Sequence, residues 1–154
     1  MVRPIRANNG AMSDAPVSAV EELDTVACWR LLAATDLGRI AVVVDDGVDI
    51  YPINYLTGDH TLYFSSAPGT KMERITAQPR VAFEVDGTTD RRRWSVVVRG
   101  VAVRLESDQE IEESGVRSLH SLPPTDKWNY VRIDPETVTG RRFVSARRRS
   151  VLSV

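Results

Sequence analysis

The chain has 154 residues, 42% of them hydrophobic and 27% charged, which fits one globular domain of roughly 100–200 residues and leaves no room for a second catalytic unit. Twenty basic residues against 21 acidic give a formal charge of -1, so no global positive field is available to hold nucleic acid or an anionic membrane. Any anion site has to be local. One cysteine, Cys28, and two histidines, His60 and His120, exclude an internal disulfide and a Cys/His zinc cluster, and fit a reducing, cytoplasmic setting.

Residues 1–20 carry arginines but no apolar stretch of the signal-peptide kind and read as a flexible arm, while the longest aliphatic run, Ile40 to Val44, is far too short to span a bilayer. The folded domain is expected over 21–145, with 146–154 a loose basic tail. Asp24 is a good N-cap for a first helix through Trp29 and Leu32, with Leu23 and Cys28 as a hydrophobic staple and Gly38 as the C-terminal stop. Cys28 has no basic neighbour to lower its pKa and reads as packing rather than as a nucleophile.

From Gly38 the period changes to two β-branched runs joined by Asp45-Asp46-Gly47, a hairpin signal. A third strand, His60 to Ser65, follows the turn Thr57-Gly58-Asp59. After Ala67-Pro68-Gly69-Thr70 comes a short helix from Lys71 to Ala77, closed by Pro79. Strands resume with RVAFEVD and WSVVVRGVAVRLE, where Gly100 predicts a bulge that lets one strand serve two sides of a barrel. Ser107 and Glu110 form a capping box for a helix that sets Ile111, Gly115 and Leu119 on one face and ends near Leu122-Pro123-Pro124, and YVRIDP and ETVTGRRF are the last strands. Six or seven short antiparallel strands with two or three helices predict a mainly β chain with flanking helices, built as a small closed or nearly closed barrel. Neither a dinucleotide fingerprint nor a P-loop is present.

Three segments could carry chemistry. Ser65-Ser66-Ala67-Pro68-Gly69-Thr70-Lys71 brings hydroxyls, helix N-terminal amides and an ammonium together as a phosphate pocket, or else is a capped helix with an exposed lysine. Tyr51-Pro52-Ile53-Asn54 places a proline inside a strand, which is therefore either at an edge or interrupted, with peptide groups available to a flat heterocycle or simply blocked against aggregation. In Arg91-Arg92-Arg93-Trp94-Ser95 the arginines read as a solvated loop, and Trp94 either stacks on a ring or closes the barrel end.

Taken together, these segments resemble the pyridoxamine 5′-phosphate oxidase-like family of FMN-binding split barrels, over Leu23 to Phe143. The stretch from Gly38 to Lys71 is most similar to the branch that holds nitroimidazole-resistance proteins and small actinobacterial flavoproteins. In the family's oxidases a strand ending in a hydroxyl residue is followed six positions later by a phosphate-binding lysine; Ser65 and Lys71 keep that spacing, and Thr70 stands where the oxidases have arginine. WSVVVRG occupies the place of the family's Arg-Gln-Val-Arg-x-x-Gly strand, with Trp94 and Ser95 at positions that approach the flavin ring. The resemblance thus implies cofactor contacts from Pro52, Ile53, Asn54, Ser65, Ser66, Thr70, Lys71, Trp94 and Ser95. It further implies a homodimer with clefts shared between subunits, and the aromatic residues Trp94, Trp128 and Tyr130 are candidates for such an interface. Departures matter too: Asp49 and Asn54 replace basic residues, which weakens the phosphate grip, and the terminal Arg-Leu-His-x-Arg signature for the pyridoxal substrate is missing.

The expected function is an FMN-dependent oxidoreductase acting on a small molecule, with the flavin supplying the redox chemistry, so no catalytic side chain and no metal ligand is nominated. A non-catalytic flavin- or haem-binding module is the second reading, with His60 or His120 as the axial ligand. A deazaflavin-dependent reductase is the third, allowed by the arginines at 91–93 and 141–142. No nucleic-acid or membrane partner is expected.

Overall fold

The computed structural model describes residues 20–119 and 128–144. The N-terminal arm up to 19, His120, the Leu122-Pro123-Pro124 stretch and the tail from 146 lie outside the described residues. Val20–Leu23 forms a strand, β1, paired with residues 140–143.

Asp24 caps helix α1 (Thr25–Ala33) by accepting a hydrogen bond from the Ala27 amide at 2.7 Å. Cys28 is fully buried beneath that cap, and desolvation, reinforced by the nearby Asp24 carboxylate, pushes its thiol pKa up. The helix ends at Ala33, ahead of Gly38, which instead lies in strand β2 (Leu37–Val44). A Cβ at Gly38 would come within 2.2 Å of the Phe83 ring, so this glycine makes room for a core aromatic and is not the helix stop.

Strand β3 (Gly47–Thr57) returns along β2 through the two-residue turn Asp45–Asp46. Next come β4 (Leu62–Ser66), helix α2 (Thr70–Ala77), β5 (Arg80–Thr89) and β6 (Arg92–Arg104). His60, at φ 50°, belongs to the turn before β4 and not to the strand. Asp90 and Arg91 form the β5–β6 turn with φ 50° and 62°, the left-handed pair of a tight hairpin. Helix α3 (Asp108–Ser114) is capped by Ser107 as expected, but Gly115, at φ 72°, terminates it, so Gly115 does not share a face with Ile111. A 3-10 turn, Val116–Leu119, follows. The two expected final strands are one, β7 (Asn129–Val144).

All neighbours are antiparallel, in the order β1-β7-β4-β3-β2-β5-β6, and the β6–β7 pairing closes the ring. β7 makes this possible because its start lies between β4 and β6, and its end between β6 and β1. At the turning point the register passes from Arg99–Thr137 to Gly100–Pro135, skipping Glu136. A Cβ at Gly100 would sit 2.1 Å from the Asp134 carbonyl oxygen, so the bulge needs glycine there. Inside the ring, alternating residues such as Ile40, Val42, Phe64, Phe83, Val96 and Val98 are fully buried. Tyr55, edge-on to Phe83, donates to the Leu32 carbonyl at 2.6 Å and so fastens α1 to β3.

Gly100→Ala is expected to lower unfolding free energy by about 1–3 kcal/mol, the range for overpacking. Gly47→Ala, where a Cβ would meet nothing within 4 Å, is expected to stay within about 0.5 kcal/mol of the parent. Urea denaturation of both variants checks this, and equal effects would remove the steric account of the bulge.

Candidate functional site

Alternation along β4 turns Ser66 inward, where it is buried and donates to the Ala67 carbonyl at 3.2 Å, and leaves Ser65 half-buried on the outer side. The chain then turns through Gly69, whose φ of 148° is a conformation that side chains rarely adopt. Gly69 is also the N-cap of α2 and offers no side-chain acceptor, so no side chain caps the first-turn amides. Lys71, in that first turn, is half-buried, and desolvation lowers its pKa from the usual lysine value. Its ammonium lies 5.3 Å from the centre of the Tyr51 ring, and among the described residues no carboxylate comes within ion-pair distance of it. Together with Trp128, Ser65, Ser66, Gly69, Thr70 and Lys71 line a cavity of about 320 Å³. Hydroxyls, uncapped amides and an ammonium thus face one space, which suits a phosphate.

α2 is held over this space by a second set of residues. Arg74 pairs with Asp49 and donates to the Tyr51 hydroxyl at 2.8 Å, and that hydroxyl in turn donates to Asp49 at 3.3 Å. The acid at Asp49, where a weakened phosphate grip was expected, is therefore engaged by Arg74. The sequence reading missed Arg74 and Tyr51. The available signal was their spacing: 49 and 51 share one side of a strand, and 71 and 74 share one face of a helix.

Pro52 lies on a free edge. β3 pairs with β2 over Gly47–Asn54, while β4 takes up its other side only from Tyr55, which agrees with the expected edge or interrupted strand. Pro52 and Asn54 are exposed on the free edge, but the Ile53 side chain is in the core and its N–H and C=O, paired with Gly38, face β2, so Ile53 does not face a ligand at that edge. Trp94 is also a core residue, 5% exposed, with its indole N–H donating to Thr89 Oγ1 at 3.1 Å. Ser95, beside it, opens onto a different groove of about 500 Å³ with Arg99, Thr137, Thr139 and Arg141.

Ser65 is opposite Tyr130 and Ser95 is opposite Arg141 on the same strand β7, about 35 Å of contour at about 3.3 Å per residue. His60 is exposed, rests on Trp29 at 5.4 Å between ring centres, and stands at the other end of β4 from Ser65. Among the described residues no three His, Cys, Asp or Glu side chains converge as a metal site, and no helix is long and apolar enough to cross a membrane.

A closed antiparallel ring with one half-free strand puts the chain in the split-barrel class. Residues 24–142 match the pyridoxamine 5′-phosphate oxidase family, and the chain belongs to that family. An uncharacterized protein of Rhizobium meliloti is 31% identical over 102 residues, 66% of this chain and 68% of that protein. The FAD binding protein from Mycobacterium smegmatis is 35% identical, with a TM-score of 0.71 over 82% of this chain and 100% of that one. A FAD-binding protein from Mesorhizobium loti is 30% identical, with a TM-score of 0.75 over 84% and 100%.

Lys71→Ala is expected to weaken flavin binding by about 1.5–3 kcal/mol, the range for a hydrogen bond to a charged group. Because burial lowers the lysine's pKa, affinity in the parent should fall as pH rises through that lowered value, and the variant should show no such fall. Titration calorimetry across alkaline pH tests both, and equal affinities would overturn the assigned cradle.

Proposed function

We propose that this chain is a flavin-dependent oxidoreductase that holds the phosphate end of the flavin in the Ser65–Lys71 cradle and works on a small molecule. The observation that carries this is Lys71: a half-buried ammonium without a carboxylate partner among the described residues, beside helix amides that no side chain caps. These groups fit the phosphate of an FMN unit, either FMN itself, as the resemblance implies, or the FMN half of FAD, the ligand named for the two relatives above. When bound, the flavin supplies the hydride or electron chemistry. The protein's own part is binding and orientation: Lys71 neutralises the phosphate, Ser65 and Thr70 offer hydroxyl donors, and the free edge of β3 around Pro52 and Asn54 offers peptide groups to the ring.

The working unit in this reading is a homodimer. Ser95 and its groove lie along β7 from the cradle, and in this reading a second copy sets its own groove against it. The outer face of the β2–β3 hairpin supports such an assembly, with Val43 directly opposite Val48 and with Val48 and Ile50 59% and 65% exposed. A haem reading gains nothing from His60, which stands away from the cradle.

Purified protein is expected to be yellow and to release a flavin on denaturation, as seen by absorbance and chromatography of the supernatant. A colourless protein that takes up neither FMN nor FAD would end this reading, and uptake of a deazaflavin alone would transfer it to that cofactor. Light scattering should give a dimer for the parent, and Ile50→Asp should give a monomer that retains flavin less well. A parent that is monomeric and still holds flavin would refute the shared site.

A further inference from the structure

We propose that the groove beside Ser95 is the substrate site and takes a small monocarboxylic acid, with the carboxylate on Arg99; this rests on the flavin and homodimer reading above, in which the groove of one copy is set against the cradle of the other. At about 500 Å³ it falls within the roughly 300–1,000 Å³ range of small-molecule sites. Its base is built from directly opposed residues on one outer face of the barrel: Ser95 with Arg141, Val97 with Thr139, and Arg99 with Thr137. The outer two of these rungs are about 13 Å apart at about 3.3 Å per residue, so the two arginines stand at opposite ends with Val97 as an apolar surface between them.

The charges around the groove select its ligand. Arg39 pairs with Glu84 and Asp86, Arg80 with Glu136, and Arg142 with Glu21. The first of these draws off the acids that border the groove from β5, since Glu84 is opposite Val97 and Asp86 is opposite Ser95. Arg99 and Arg141 are left, and among the described residues neither has a carboxylate in ion-pair reach. Glu22, opposite Arg141 on β1, is the one acid in the lining, and it stays beyond that reach. Two guanidinium groups and one carboxylate leave a formal charge of +1 in the groove, which a monoanion balances. Its ends also differ. At one, Arg99 and the Thr137 hydroxyl offer donors to a carboxylate with no lining acid beside them. At the other, Arg141 and Ser95 stand with Glu22, a mixture of donors and an acceptor that suits a hydroxyl or amine at the far end of the ligand.

Titrating flavin-loaded, full-length protein with 4-hydroxybenzoate and with its methyl ester, by calorimetry and by the visible absorbance of the flavin, separates the outcomes. The acid is expected to bind about ten-fold tighter than the ester or better, the scale of a hydrogen bond to a charged group, and to shift the flavin bands. Arg99→Gln should abolish that preference. Arg80→Gln, which removes an arginine of the same sheet outside the groove, should keep acid affinity within about two-fold of the parent. No binding of the acid, equal binding of acid and ester, a preference that survives Arg99→Gln, or equal losses in the two variants would overturn the carboxylate site and leave the flavin reading standing. Acid binding that leaves the flavin bands unmoved would overturn its role as the substrate site. A parent that takes up no flavin would overturn both readings.

Discussion

The unequal lengths of β3 and β4 are the constraint from which the rest of the molecule follows. β3 has 11 residues and β4 has five, so most of β3 keeps one edge without a strand partner. An exposed edge is a hazard, and here it is managed by Pro52, which cannot donate, and by Asp49 and Tyr51, which are drawn to Arg74. That same pairing fixes α2 against β3. Met72 and Ile75 bury the inner face of the helix, and its N-terminus is left facing the end of β4. Blocking the edge and building the cradle are therefore one arrangement of residues.

Closure depends on a different device. A strand that borders β4, β6 and β1 in turn has to bend, and it does so where Gly100 lets the Asp134 carbonyl approach. Next to this bend, Arg132 pairs with Glu110 of α3 and with Asp134, which holds the guanidinium's pKa above its usual value. The pair with Glu110 ties the outer helix to the barrel, but Arg132 is more than a quarter exposed, so its worth is modest after solvent screening. The small outer core of Leu105, Ile111 and Val116 supplies the larger share of that attachment.

Features whose cause is local in sequence were legible before the structure. Asp24 needs only its own helix to act as a cap, the Asp45–Asp46 turn needs only its two strands, and Ser65 and Lys71 are separated by one turn. Features whose cause is distant were not. Gly38 reads as a helix stop because nothing nearby reveals the Phe83 ring above it, and Gly115 fits a helical stripe unless its left-handed φ is known. Trp94 flanks a run of arginines and looks exposed, yet Gly87 on the neighbouring strand gives its ring a place to lie. The Asp49–Arg74 pair spans a hairpin and a helix start, and only the folded register brings it together.

In the proposed reading, Lys71 gives a site with few charges a means of being selective. An exposed lysine would be hydrated and could follow any anion at little gain. Here the amine is partly desolvated before any ligand arrives, with the face of Tyr51 beside it. The apo protein is thereby held in a state that a correctly placed anion improves, because pairing restores the charge that burial disfavours. Such a site discriminates by the charge and shape of what enters, since too little negative charge leaves the amine uncompensated and too much leaves the phosphate so. The single cation is then a setting of the site and not a deficiency in it.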